Sequence, residues 1–251
     1  MPEQRVQPVR TIPTSPVFTG AVIDAWPVVF PGAETPSEQA IGVLFAHYML
    51  ETGGLHCYGW NIGNVKYVVG QGYDYHCLRG VWEGESLANA QRLIASGEAV
   101  WDPNESHHKQ CAPKVSVVYQ PPHPATRFTT FPNLSESMDN HIALLAKRRY
   151  ASAWQHVLSG NVTAFAQALK ARGYFTSSAK AYASGMLGHY NRYMASSDYE
   201  LVLNRDVTRP VYEFSGGIIH PYPDFTPMVY DSDDVIAAST PVVPWWRRLF
   251  T

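Results

Sequence analysis

Apolar residues recur at helical spacing through Ile41, Leu44, Phe45, Tyr48 and Met49, a pattern that predicts a helix buried on one face. Thr35-Pro36-Ser37-Glu38 opens it, with Thr35 as N-cap, Pro36 in the first turn and Glu38 at the third position. Gly53-Gly54 closes it, so Glu51 falls in its final turn. Three further helices follow from the same spacing. One runs from Ser135 to Tyr150 on Met138, Ile142 and Leu145, with Ser135 as cap and Lys147-Arg148-Arg149 at its C-terminal end; it can continue through Trp154 to Leu158. The second, Asn161 to Ala171, carries Val162, Phe165 and Leu169 and stops at Gly173. The third, Ser177 to Met194, carries Tyr182, Met186, Leu187 and Tyr190.

The remaining pattern is weaker. Residues 1–33 are rich in Pro and β-branched residues without a helical period and read as an extended arm or linker. Val65–Val69 and Lys114–Tyr119 read as strands, with a short helix from Ser86 to Ser96 between them. A β-rich lobe built from 64–128 would cover one side of a cleft beside the first helix. Pro121-Pro122-His123-Pro124 is a stiff connector, and beyond Met194 the helical period is lost. The expected organisation is an arm over 1–34, a mainly helical α+β domain over 35–195 and an irregular extension over 196–251. No internal repeat is present.

Glu51 brings chemistry into this picture. An acid at a helix C-terminus faces partial negative charge, which raises its proton affinity. That placement suits a group that stays protonated near neutral pH and donates to a leaving oxygen. The Gly and Asn residues that follow suit backbone turning closely around a ligand. Glu51 is therefore read as the general acid of a glycosidase.

Composition narrows the classes. The 251 residues can bury a substantial core, and a net charge of -2 with pI near 6.5 lacks the basic face of a nucleic-acid binder. No apolar run approaches the roughly 20 residues that span a bilayer, and the first residues lack the apolar core of a secretory signal. Delivery to an extracytoplasmic substrate would then need lysis, a secretion machine or a virus particle. The 15 Tyr and 7 Trp serve first as core and second as faces on which sugar rings stack. Cys57, Cys77 and Cys111 allow at most one internal disulfide. Each has a neighbouring His, but none shows a Cys-x-x-Cys clip; free or paired cysteines are favoured over a zinc site, and no cofactor is expected.

The order of motifs resembles the bacterial glucosaminidase family of peptidoglycan hydrolases, over about residues 36–194. Glu51-Thr52-Gly53-Gly54 stands where that family has Glu-[Ser/Thr]-Gly after an apolar helix. Asn61-Ile62-Gly63-Asn64-Val65-Lys66 loosely matches its Asn-Leu-Phe-Gly-Ile-Lys, with Gly63-Asn64 replacing Phe-Gly. Arg127-Phe128-Thr129-Thr130-Phe131 and Asn133-Leu134-Ser135-Glu136-Ser137 match the next segments, and Gly173-Tyr174-Phe175-Thr176 with Tyr182-Ala183 the last. The cysteine-bearing stretch 70–113 departs from the family's pattern. The resemblance implies a lysozyme-like domain that cleaves β-1,4 bonds of the glycan strand as an N-acetylglucosaminidase. Muramidase or lytic transglycosylase action on the same polymer is the alternative, and a catalytically silent glycan-binding module is the reading from another class.

The resemblance also places the other site residues. Tyr174 and Tyr182 fall at the cleft, where a phenol could position an N-acetyl group or a water. Asn61, Asn64 and Lys66 fall in the turn below the acid, close to substrate. An inverting enzyme needs a base about 6.5–9.5 Å from the acid and a retaining one a nucleophile near 5 Å, while the sugar's N-acetyl group can replace either. Glu83 is the first choice for a second carboxylate, with Glu85, Asp74 and Glu98 as rivals. His47, one turn before Glu51, is read as a core histidine able to touch the acid. Trp245-Trp246-Arg247-Arg248 is apolar and basic enough to dock a carrier, an immunity protein, a particle component or a membrane surface.

Overall fold

The computed structural model describes residues 3–204 apart from 55, 148, 176 and 177. Its centre is helix α2, Glu38–Thr52, buried on nearly every side rather than on one face. Ser37, not Thr35, is its N-cap, accepting from Ala40 N at 3.2 Å. Gly53, at φ 61°, turns the chain into the left-handed conformation that ends the helix without a Cβ clash.

The expected N-terminal arm is corrected. Residues 15–29 form helix α1, Ser15–Val29, whose Phe18, Val22, Ala25 and Trp26 are buried. Phe18 stacks on Tyr48 of α2 at 5.1 Å and meets Phe45 edge-on at 5.5 Å. This helix is apolar over most of its surface, so it has no polar face to set up a period. Pro27 inside it further obscures the pattern. Only the stretch before α1 is extended; Val6 N donates to Tyr75 O at 2.8 Å and Gly59 N to Val9 O at 2.8 Å.

The middle of the chain holds two small antiparallel sheets. β1, Asp74–Cys77, pairs with β5, Arg127–Thr130, with Asp74 opposite Thr130. β2, Trp82–Glu85, and β3, Ala99–Trp101, flank β4, Val115–Tyr119. Helix α3, Leu87–Ala95, capped by Ser86, closes a minor core of Ala90, Leu93, Ala99, Val117 and Tyr119. Helix α4, Glu105–Cys111, lies between β3 and β4 in sequence. The strand expected over Val65–Val69 reduces to one bridge, Lys66 to Phe128, with Val68 and Val69 54% and 75% exposed.

The helical half follows the expected spacing with shifted ends. Helix α5, Leu134–Lys147, begins where Asn133 Oδ1 accepts from Glu136 N at 2.9 Å, so the cap is Asn133 rather than Ser135. It stops there, and α6, Ala151–Leu158, is separate. Asn161 caps α7, Val162–Ala171, and Ser178 caps α8, Ala179–Met194. Helix α9, Asp198–Leu203, where no period was expected, packs on α1 and sends Tyr199 OH to Pro36 O at 3.0 Å. Helices α1, α2, α5, α6, α7 and α8 share the main core. The fold is mixed α+β. Among the described residues no helix is long and apolar enough to cross a membrane. Thr176 and Ser177, and the Trp245-Trp246-Arg247-Arg248 cluster, lie outside the described residues.

Candidate active site

Glu51 is in the last turn of α2 with 8% of its surface exposed. Its Oε1 accepts a hydrogen bond from the Tyr182 hydroxyl of α8, and its backbone carbonyl accepts from the Asn64 amide. Burial pushes the carboxyl up to about 7, and the Tyr182 bond pulls it partly back. The sequence reading assigned the raised affinity to the helix dipole; the structure assigns it to loss of water. A carboxyl raised this far can hold a proton near neutral pH and still give it up.

Aromatic side chains enclose it. The Phe175 and Tyr182 rings stack at 3.8 Å, which fixes the phenol that meets the acid. Tyr174 packs on His47 at 5.1 Å and on Tyr150 at 4.9 Å, and its hydroxyl is held protonated by burial and by the Glu51 charge. His47 itself is fully buried, with Nε2 3.9 Å from Glu51 Oε1. Its Nδ1 lies 3.3 Å from Nε2 of His141 on α5. His47 is not the satisfied core histidine expected, because its Nε2 has no hydrogen-bond partner among the described residues.

The Asn-rich turn has a supporting role. Asn61 is buried and fully engaged, donating to Val65 O at 2.9 Å and Thr129 O at 3.0 Å and accepting from Val65 N at 2.7 Å. It ties the turn to β5 and leaves no polar atom pointing at a ligand. Asn64, in the left-handed conformation at φ 48°, ties the same turn to the C-terminus of α2. Lys66 Nζ donates to Ala125 O and lies 4.0 Å over the Phe128 ring. Asn61 and Lys66 thus both tie the turn to the chain around β5.

Three of the four β-region carboxylates are hydrogen-bonded or paired elsewhere. Glu83 sits on β2, and its charge raises the proton affinity of Tyr119. Glu85 accepts from Tyr119 and Asn89, Asp74 accepts from Gln4 N, and Glu98 pairs with Arg92 and His123. Among the described residues no interaction joins any of the four to Glu51, and none contributes to its proton affinity.

Cys57, Cys77 and Cys111 form no disulfide among the described residues, and Cys57 is raised to about 12 by burial. Among the described residues no three His, Cys, Asp or Glu side chains converge as metal ligands. His141, Tyr150 and Phe175 were missed in the sequence. His141 alone carried a signal, three residues after Met138 on the apolar stripe of α5. Comparison of the chain with protein-family models, with curated proteins and with solved structures gives no match.

Proposed function

We propose that the protein is a peptidoglycan hydrolase of lysozyme-like build, an endo-β-N-acetylglucosaminidase with Glu51 as general acid. One observation carries the reading: a carboxyl with a pKa of about 7, in the last turn of the central helix, gripped at one oxygen by a tyrosine from another helix. Glycosidic cleavage needs a proton delivered to the leaving oxygen as the C–O bond breaks. Glu51 supplies it, and water adds across the resulting oxocarbenium-like centre and returns a proton to the enzyme. In this reading Tyr174 and Tyr182 hold an N-acetyl group or that water. Glu83 remains the protein carboxylate proposed as second participant, with assistance by the N-acetyl group as its alternative. No cofactor enters the scheme.

The substrate is the glycan strand. Delivery to the wall proceeds by lysis, a secretion machine or a particle, and the residues after 195 serve a carrier, immunity or particle partner. Incubating purified protein with sacculi and analysing the soluble muropeptides tests the reading. New reducing ends at N-acetylglucosamine are expected. Ends at muramic acid point to a muramidase, and anhydro-muramic ends to a lytic transglycosylase. Binding to sacculi without release marks a silent glycan-binding module and overturns the enzymatic reading. Glu51→Gln is expected to cut release by about 10²–10⁴-fold, the usual contribution of a positioned acid.

A further inference from the structure

Two neutral imidazoles joined by one hydrogen bond have two possible arrangements, and the surroundings of His47 and His141 distinguish them. The rings are fully buried and near-parallel, with centroids 5.2 Å apart and Nδ1 of His47 3.3 Å from Nε2 of His141. The outer nitrogens have no hydrogen-bond partner among the described residues. One of them, His47 Nε2, faces Glu51 Oε1 at 3.9 Å. The other, His141 Nδ1, abuts Gly63 so closely that a Cβ there would lie 2.7 Å from it. A Gly63 Cα hydrogen therefore points at this nitrogen. Such a contact tolerates a lone pair and repels an N–H. At the other end of the pair, an N–H on His47 Nε2 faces a carboxyl oxygen rather than a C–H.

We propose that His47 and His141 form a tautomer relay, both carrying their proton on Nε2, which aims the His47 N–H at Oε1 of Glu51. His141 donates to His47 Nδ1, and His47 presents its own N–H to the acid. They are positioning residues for Glu51, and their role in turnover rests on the hydrolase reading above. The Tyr182 O–H and the His47 N–H then converge on Oε1. Oε2 is left to carry the proton given to the leaving oxygen, while the charge that remains is drawn toward Oε1. No proton passes to either ring. The other groups facing this cluster are Tyr174, from the segment after α7, and the apolar ring of Phe165 on α7. Burial holds both histidines neutral, and for His47 the neighbouring His141 adds to the effect.

The test uses the full chain with ¹⁵N-labelled histidine. Long-range ¹H–¹⁵N spectra at pH 7 are expected to place the proton of both rings on Nε2; a proton on Nδ1 of His47 overturns the relay. Infrared titration of the protonated carboxyl band, assigned by its loss in Glu51→Gln, then reads the acid directly. His47→Phe removes the N–H, and the midpoint is expected to rise by about half to one pH unit, the effect of a partial charge some 4 Å away. An unmoved midpoint in a folded variant reduces the pair to packing and overturns the proposal. The alkaline limb of sacculus digestion is expected to move with the midpoint. Absence of turnover by the parent protein defeats the hydrolase reading alone, because the spectra and the titration judge the pair without it.

Discussion

Glu51 is set between two influences of opposite sign, since burial disfavours its charge and the Tyr182 hydroxyl favours it. Removing the hydroxyl as Tyr182→Phe takes away the lowering influence, so the acid keeps its proton to higher pH. The alkaline limb of digestion is expected to shift upward, and denaturant melts should record a loss of about 1–3 kcal/mol from the unpaired carboxyl oxygen. The same acid weighs on stability. Its folded pKa of about 7 exceeds the ordinary 4.5, so the folded state binds the proton more tightly. Its contribution to stability is fully present below 4.5 and is lost as pH rises to about 7. Glu51→Gln should therefore be more stable than the parent at pH 8, by roughly 3 kcal/mol, and little different at pH 4. Equal melting of the two proteins at pH 8 would mean that the carboxylate is hydrated after all.

Helix α1 decides how the domain is bounded. Phe18, Val22 and Trp26 belong to the main core, and the Thr19 hydroxyl meets the Tyr193 hydroxyl of α8 at 2.9 Å. A chain starting at residue 34 is expected to lose cooperative folding, measured as the loss of a sharp thermal transition, whereas a dispensable arm would leave it intact. Phe18→Ala should cost about 3–5 kcal/mol, as for other buried aromatics. Helix α9 bears on the other boundary. A chain ending at Ala195 lacks Tyr199 and Val202, which pack on the domain, and should melt at lower temperature than one ending at Asn204.

Three buried histidines govern the response of the whole molecule to acid. Burial lowers His76 and His141 to about 4 and His47 well below its ordinary value of 6.5. Unfolding frees each to take up a proton. Their stabilising contributions are present above 6.5 and are lost as pH falls toward 4. Glu51 and Asp139, both raised by burial, work in the opposite direction, while His123 and His189, lowered by burial, add to the three. Net stability is expected to fall from pH 6.5 to pH 4, read as a declining midpoint in urea. A flat profile would place these histidines in contact with water.

Several features were legible without coordinates. Helix α2 and its Gly53 stop, α3, α7 and most of α8 follow from apolar spacing and local end signals, which depend on neighbours in sequence. Glu51 in the final turn of α2 follows from the same local rules. Helix α1 was not legible, because a helix apolar over most of its surface, even on its exposed side at Val28, shows no clear period. Nor could local rules bring His141, from α5, beside His47, or Tyr182, from α8, onto Glu51, since those contacts join residues 94 and 131 positions apart. The sequence by itself determined which residue could be an acid and where its helix ends. Only the tertiary structure decided that the acid is stripped of water, because burial depends on what the rest of the chain places around it.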